Sequence, residues 1–139
     1  MPEEPLASPN IEGLDRWAVE PRRVEKPWGW ELIWAETDTY VGKLLFVAAG
    51  HSLSLQFHRV KDESWYVESG RAELELGERG NAVLKKEVVL PGACFRFTPG
   101  TVHRVKALED TLIVEVSTPD LDDVVRLEDD YGREGTSAP

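Results

Sequence analysis

The sequence has little cysteine, no long apolar run and fewer basic than acidic residues. Its single cysteine, Cys94, excludes an internal disulfide framework, fits a reducing compartment and is expected to be a small buried apolar side chain. No apolar run approaches the roughly 18 residues of a membrane-spanning helix. The start, Met-Pro-Glu-Glu-Pro, lacks the basic region and apolar stretch of a secretory signal. A cytoplasmic location is therefore expected.

The shortage of basic residues limits the partners. With 26 acidic against 16 basic residues the formal charge is −10. Such a chain repels phosphate backbones and anionic membranes, so neither nucleic acid nor a membrane is expected as a partner. Twelve of the acids lie in residues 1–20 and 120–139, which leaves the middle of the chain close to balanced. A small anionic substrate is not excluded.

The length of 139 residues and the 41% apolar content are typical of one globular domain. Residues 1–22 are rich in Pro and Glu and are expected to form an arm, with one turn around Ile11–Trp17, that packs on the body or on a partner subunit. Residues 23–128 are expected to form the folded body. Residues 129–139 are expected to be a polar tail that frays.

Short runs rich in β-branched and aromatic residues recur along the body and are separated by turn residues such as Gly70 and Pro99-Gly100. No helical period lies between them, so the fold class is all-β, a sandwich or barrel. The predicted strands are Trp30–Trp34, Tyr40–Ala49, Leu53–His58, Ser64–Ser69, Ala72–Leu76, Ala82–Leu90, Cys94–Thr98, Val102–Ala107 and Thr111–Ser117.

Four residues have a spacing that suits a metal site. Gln56 and His58 are two apart, which places both on one face of a strand. Glu63 follows across a short polar loop, and His103 follows a turn about forty residues later, where an antiparallel barrel can bring it opposite the others. Two imidazoles, a carboxylate and an amide oxygen would leave open positions on a divalent ion, which suits Lewis-acid chemistry. Each residue alone is more often an ordinary surface or core residue, and only the joint spacing favours a metal site.

The spacing Gly50, Gln56, His58, Glu63, Gly70 resembles the first motif of the cupin superfamily. Gly92 and Thr98-Pro99-Gly100 before His103 resemble its second motif. The resemblance implies a single-domain cupin jelly-roll β-barrel and one divalent ion, zinc first, with manganese, iron or nickel as alternatives. Gln56 stands where most cupins have His, and Thr98 where the first Pro of the turn usually stands.

Three segments are similar to the cupin domain of type II mannose-6-phosphate isomerases. They are the opening segment from Val24 to Gly29, the ligand strand from Leu53 to His58, and the closing segment from Val125 to Arg133. The resemblance implies an aldose–ketose isomerase that acts through an enediol on a phosphosugar. Lys61 stands where that family has an arginine linked to catalysis. The positive charge is therefore kept, but the bidentate hydrogen bonding of a guanidinium is lost.

The catalytic candidates are Lys43, Lys61 and Glu115. Lys43 is flanked by apolar residues, and burial would depress its pKa and make it a base, while a solvent-facing position is equally consistent with the pattern. Glu115 is open to the same two interpretations, and the solvent-facing one is favoured.

The substrate-binding candidates are Arg126, Lys26 and Tyr66. Arg126 is the first choice for a phosphate because its guanidinium pairs two oxygens, with Lys61 and Lys26 next. An alternative is that Arg126 only balances its acidic neighbours. His51, of opposite parity on its strand, is left out of the site. Trp28, Trp30 and Trp34 could stack on a sugar, but strand spacing favours core or subunit interface.

Two other functions stay open. Two histidines and a carboxylate also suit a mononuclear iron dioxygenase, although Gln56 counts against it. The altered Arg59–Ser64 stretch favours a non-catalytic metal- and sugar-binding cupin. A homodimer that pairs through strand edges, with the arm crossing over, is expected because pairing covers exposed edges.

Overall fold

The computed structural model describes residues 13, 17–78 and 83–134. Among them there is no α-helix, and no helix could span a membrane. The strands are β1 (Arg22–Lys26), β2 (Gly29–Glu36), β3 (Val41–Val47), β4 (Leu55–Phe57), β5 (Glu63–Ser69), β6 (Ala72–Glu78), β7 (Lys85–Val89), β8 (Cys94–Phe97), β9 (Thr101–Ala107), β10 (Thr111–Ser117) and β11 (Val125–Glu128).

The strands form two antiparallel sheets that face each other. One has the order β1-β2-β3-β10-β5-β8 and the other β11-β4-β9-β6-β7. Most neighbours in each sheet are distant in sequence, as in β3 and β10, which is the connectivity of a jelly roll. The predicted all-β jelly-roll fold is confirmed. Two strands, β1 and β11, were not predicted because they are short, charged and without a clear alternation.

The interior changes from apolar to polar along the strands. Leu45 and Ile113 lie opposite each other on β3 and β10 and are buried in the main core cluster. Two residues along the same strands, Lys43 and Glu115 lie opposite each other and also point inward. Inward positions alternate along a strand, so the core passes directly into a polar cavity.

Two glycines of the sequence motif occupy turns that need a positive φ. Gly50 has φ +83° and follows β3, and Gly70 has φ +94° between β5 and β6. A Cβ at Gly70 would also meet the carbonyl oxygen of Asp110 at 2.3 Å. Both turns favour glycine for backbone reasons, and the turn at Gly70 ends β5, the strand that carries Glu63.

The segment after β11, which the sequence predicts to be a polar tail, makes specific contacts over residues 129–134. The Asp129 carboxylate accepts hydrogen bonds from the Arg133 backbone at 2.7 Å and from its guanidinium at 2.9 Å. Tyr131 stacks on His51, and its hydroxyl lies 2.8 Å from His51 Nδ1. These contacts hold Arg133 at the mouth of the cavity. The predicted arm, residues 1–22, lies mostly outside the described residues.

Truncating the core should cost far more stability than truncating the surface. Leu45→Ala removes a side chain that is 2% exposed, so we expect the free energy of unfolding to fall by about 2–5 kcal/mol. Leu127→Ala, at a leucine that is 47% exposed, should change it by about 0.5 kcal/mol or less. Urea denaturation measures both, and equal losses would contradict the described core.

Candidate metal centre and cavity

Three metal-ligand side chains meet inside the barrel. His58 directly follows β4, His103 lies on β9 of the same sheet, and Glu63 opens β5 of the facing sheet. One ligand atom from each lies within 4.8 Å of the other two. Exposures are 6% for His58, 2% for Glu63 and 1% for His103. The structure thus brings together three of the four predicted ligands.

Backbone carbonyls orient both imidazoles. His58 Nδ1 contacts the carbonyl oxygen of Asp123, and His103 Nδ1 lies 3.0 Å from that of Thr101. A carbonyl oxygen only accepts, so each Nδ1 carries the proton and donates it. Each Nε2 then faces Glu63 Oε1, at 3.5 Å from His58 and 2.9 Å from His103. A hydrogen bond from Nδ1–H to a carbonyl fixes the ring and prepares a histidine to bind a metal through Nε2.

Aromatic packing fixes the His103 ring. Phe97 stacks on it at 4.3 Å between ring centroids with an interplanar angle of 7°. Trp65 meets it edge-on, at 5.6 Å and 85°. The ring therefore has little freedom to turn, and its Nε2 stays directed at Glu63.

Glu63 is a buried carboxylate surrounded by bases. Its Oε2 lies 2.8 Å from Lys61 Nζ, yet neither carboxylate oxygen accepts a hydrogen bond with good angles. Burial alone would raise the pKa of Glu63, but the imidazoles of His103 and His58 and the Lys61 ammonium hold it well below its usual range. The group is thus an anion with incompletely satisfied oxygens, pointing at two imidazole nitrogens.

This donor set fits a divalent ion. Two imidazole nitrogens and one carboxylate oxygen, all buried and convergent, are ligands that zinc, manganese, iron and nickel accept. The poorly satisfied oxygens of Glu63 are the feature that a cation would complete. The geometry therefore supports a possible three-residue metal site without selecting the metal.

Gln56, the fourth predicted ligand, lines the same cavity. It lies directly opposite His103 in the pairing of β4 with β9, so its side chain points to the same side of the sheet. Its amide nitrogen is 3.4 Å from the carbonyl oxygen of Ser54. Gln56 is thus placed beside the cluster, and its role as a ligand stays a prediction.

A row of alternating charges leads away from the cluster. Lys61 Nζ is 2.8 Å from Glu63 and 3.4 Å from Glu115, and Lys43 Nζ is 3.6 Å from Glu115 and 3.2 Å from Glu31. Trp65 Nε1 donates to the other Glu115 oxygen at 2.9 Å. Burial alone lowers the pKa of Lys61, but Glu115 and Glu63 raise it overall.

The row decides between the inward and the solvent-facing position that the sequence left open for Lys43 and Glu115. Lys43 is 6% exposed and Glu115 2% exposed, and both line the cavity. The favoured solvent-facing position for Glu115 is therefore wrong. Lys43 lies between two carboxylates rather than among apolar side chains alone.

The cavity encloses about 330 Å³ and has a cationic wall. Six basic side chains line it against five carboxylates, although the whole chain carries −10. Burial lowers the pKa of Lys26, and Lys43, Arg133 and Arg126 lower it further against the opposing Glu31. The basic side chains are Arg22, Lys26, Lys43, Lys61, Arg126 and Arg133.

Of the predicted substrate-binding residues, the cavity brings together Arg126 and Lys26 but not Tyr66. Arg126 is 7% exposed, and burial together with Arg133 lowers its pKa. Tyr66 is 43% exposed and points to the outer side of β5, because its neighbour Trp65 occupies the inward position. Tyr66 is thus removed from the site. Cys94, expected to be buried, is exposed beside it on β8.

Sequence reasoning missed Asp123. Its carboxylate accepts hydrogen bonds from three successive backbone N–H groups, those of Arg59 at 3.0 Å, Val60 at 2.7 Å and Lys61 at 2.9 Å. Its own carbonyl accepts from His58 Nδ1. One residue therefore shapes the loop between His58 and Glu63 and orients an imidazole. In the sequence it stands in an acidic cluster, and nothing distinguishes it from Asp122.

Three further cavity residues were not singled out. Glu31 lies between Lys43, at 3.2 Å, and Lys26, at 4.0 Å. Ser54 has a buried hydroxyl that makes no hydrogen bond to the described residues. Arg133 reaches the cavity from the closing segment. Glu31 and Ile33 are two apart on β2 and therefore share a face, which was the sequence signal for an inward Glu31. The alternating Trp30, Leu32 and Trp34 obscured it, because they suggested that the opposite face was the buried one.

A family model and several curated proteins match most of this chain. Residues 15–129 match the family described as mannose-6-phosphate isomerase C-terminal. The chain is 30% identical over 122 residues to mannose-1-phosphate guanylyltransferase 2 of Escherichia coli O157:H7, covering 84% of this chain and 24% of that protein. It is 36% identical over 118 residues to the xanthan biosynthesis protein XanB of Xanthomonas campestris pv. campestris strain B100, covering 81% and 24%. The chain thus spans about a quarter of these relatives.

Solved structures share the fold. KdgF from Halomonas sp. superposes with a TM-score of 0.60 at 26% identity, covering 75% of this chain and 89% of that one. CapF from Staphylococcus aureus gives 0.67 at 17% identity, covering 81% and 36%. The oxalate decarboxylase of Bacillus subtilis, a protein with Mn(II) centres, gives 0.64 at 20% identity, covering 76% and 29%.

Asp123→Asn should destabilise the protein in a pH-dependent way. The three backbone donors lower the pKa of Asp123 in the folded state despite the opposing effect of burial. A lowered folded pKa stabilises the fold above the unfolded value near 3.9, and this contribution is lost as pH falls through the folded value. We expect a loss of about 1–2 kcal/mol at pH 7 that shrinks below about pH 4.

Urea denaturation of the wild type and Asp123→Asn between pH 3 and pH 7 measures this difference. Asp122→Asn, at an exposed neighbour, is the matched control. A gap that is constant across this range, or an equal effect of Asp122→Asn, would contradict the role of the Asp123 carboxylate.

Proposed function

Because the chain belongs to the mannose-6-phosphate isomerase C-terminal family, within the cupin superfamily, we propose that it binds a divalent metal and a phosphosugar in one cavity and interconverts the aldose and ketose forms. The supporting observation is that the His58–Glu63–His103 cluster and the cationic wall line the same space. One group of residues suits an ion, and the other suits a phosphate.

His58, Glu63 and His103 would hold the metal, with the Gln56 amide as a fourth ligand from the adjacent position on β4. When bound, the ion polarises carbonyl and hydroxyl oxygens of a sugar. Lys61 offsets the charge of Glu63 and keeps its carboxylate in place. The closed packing of Phe97 and Trp65 around His103 keeps water away from one side of the site.

The phosphate would lie against Lys26, Arg126 and Arg133. All three line the cavity, and burial, followed by the repulsion of neighbouring cations, lowers the pKa values of Lys26 and Arg126. A dianion relieves that repulsion, and an arginine fork pairs two of its oxygens. Ser54, with its buried hydroxyl, is positioned to accept or donate to a sugar hydroxyl.

Enediol chemistry also needs a group that moves a proton between adjacent carbons. Lys43 and Glu31 form a pair at 3.2 Å on the cavity wall, and the Glu31 side chain is 14% exposed. The Glu115 side chain is only 3% exposed, and both its oxygens have partners. We therefore place proton transfer at the Lys43–Glu31 pair and assign Glu115 and Lys61 to positioning.

A second candidate is binding without turnover. Lys43, Lys61 and Glu115 all lie in ion pairs with each other or with Glu31 and Glu63, so the candidate acids and bases are already engaged. Such a site could bind a phosphosugar and still lack a free base. Exchange of the sugar's C2 proton with solvent separates the two functions.

We expect the protein, stripped with chelator and reloaded separately with zinc, manganese, iron or nickel, to exchange the C2 proton of mannose 6-phosphate in D₂O, followed by proton NMR. At least one metal should support exchange, and chelator should abolish it. His58→Ala should lose metal and lower exchange by about 100-fold or more. Unphosphorylated mannose should bind more weakly, because the cationic wall lacks its anion.

His51→Ala is the matched control for metal content, since His51 lies outside the cavity lining. Lys26→Met, in the cavity lining, should weaken phosphosugar binding. Lys106→Met, on the exposed outer side of β9, is its matched control. Binding without exchange would select the non-catalytic function. Metal content unchanged in His58→Ala, or no preference for the phosphorylated sugar, would contradict the proposal as a whole.

A further inference from the structure

The segment that follows β11 contributes Arg133 to the lining of the cavity. We call residues 129–134 the clasp. Each of its side chains other than that of Gly132 has a polar partner within 3.2 Å. Holding six residues in one conformation costs conformational entropy, so these contacts are what keeps the clasp in place.

The clasp docks on the connection between β3 and β4. The Tyr131 ring stacks on His51 with 6.2 Å between ring centroids and an interplanar angle of 13°, and its hydroxyl lies 2.8 Å from His51 Nδ1. The Ser52 hydroxyl donates to the Asp130 carboxylate at 2.8 Å. Tyr131 also packs against the main core cluster. Two adjacent residues of the connection therefore hold two adjacent residues of the clasp.

The docking site is itself fixed to β9. The backbone N–H of Ala107, the last residue of that strand, donates to the His51 carbonyl at 2.9 Å. Ser52 is 4% exposed and forms a β-bridge with Lys106. Because β9 also carries His103, the clasp and the metal cluster are attached to the same strand.

Inside the clasp, Asp129 and Tyr131 determine where Arg133 lies. The Asp129 carboxylate accepts hydrogen bonds from Arg133 Nε at 2.9 Å and Nη2 at 3.2 Å, a bidentate pair that sets the plane of the guanidinium. The guanidinium carbon lies 5.9 Å from the centre of the Tyr131 ring, within the range of a cation–π contact. The Asp129 side chain is fully buried. A guanidinium of the cavity lining is thus held by a buried carboxylate and a docked ring.

We propose that Tyr131, docked on His51, is a positioning residue that holds Arg133 in place for the phosphate of the substrate. This inference rests on the proposed function, because it takes the wall formed by Lys26, Arg126 and Arg133 to bind a phosphate. An arginine on an undocked segment must be ordered at each binding event, so the apparent affinity falls with the fraction of molecules whose clasp is docked. Because coupling between two sites is reciprocal, a bound anion should in turn favour the docked clasp.

Calorimetric titration of the zinc-loaded chain with mannose 6-phosphate tests the proposal. Arg133→Gln should raise the dissociation constant by about 30-fold, since charge-assisted hydrogen bonds to the phosphate are lost. Tyr131→Ala should raise it by about 10-fold, and Tyr131→Phe, which keeps the ring and loses only the bond to His51, by about 3-fold or less. Tyr40→Ala, at a tyrosine that is 55% exposed, is the matched control and should bind like the wild type.

A double-mutant cycle separates positioning from general destabilisation. If Tyr131 acts through Arg133, Tyr131→Ala should not weaken binding further in the Arg133→Gln background. The zinc content should equal that of the wild type in every variant. Hydrogen exchange of the wild type gives an answer free of substitutions: the Arg133 amide, which donates to Asp129 at 2.7 Å, should be more protected with mannose 6-phosphate bound.

The outcomes distinguish this inference from the proposed function. A wild type that binds neither mannose 6-phosphate nor inorganic phosphate would overturn both. If the wild type binds them, normal affinity in Arg133→Gln or Tyr131→Ala, or an equal further loss when the two are combined, would overturn the inference alone. A lower zinc content in Tyr131→Ala would also overturn it, because Tyr131 would then support the barrel as a whole.

Discussion

The interior of this protein depends on compensating one buried carboxylate, that of Glu63. A carboxylate at 2% exposure is costly unless other groups offset its charge. The Lys61 ammonium, 2.8 Å away, does this, and Glu115, Lys43 and Glu31 continue the alternation of charge, while the two imidazoles of the facing sheet lie on the other side of Glu63. The polar half of the barrel is therefore one connected network, while Leu45, Ile113 and their neighbours fill the apolar half.

The network also explains why the site is held so firmly. Three members are fixed by groups outside the network: His103 by Phe97, Glu115 by the Trp65 indole and His58 by the carbonyl of Asp123. Fixed ligands and a fixed cationic wall are what a site needs to bind an ion and an anion together. Together with the family match, this supports a metal-dependent phosphosugar site more than either observation alone.

Much of this could be predicted from the sequence, because period-2 alternation and turn residues predict strands and the His58–Glu63 spacing predicts a shared site. What could not be predicted depends on parity and register. Lys43 and Glu115 are ambiguous until the pairing of β3 with β10 places them opposite each other, facing inward. Trp30 and Trp34 suggested that their side of β2 faces the core. That side is the outer face of the sheet, which is as apolar as a core face. Asp123 acts through loop geometry, which leaves no pattern in the sequence.

The central claim is that His58 and His103 present Nε2 to Glu63 because backbone carbonyls hold each Nδ1 proton. Long-range ¹H–¹⁵N NMR of the histidine rings, with and without zinc, tests it most directly. We predict that both rings carry the proton on Nδ1 and that zinc shifts their Nε2 resonances far more than their Nδ1 resonances, while His51 is unchanged. Zinc bound through Nδ1, or a shift at His51 alone, would contradict the account.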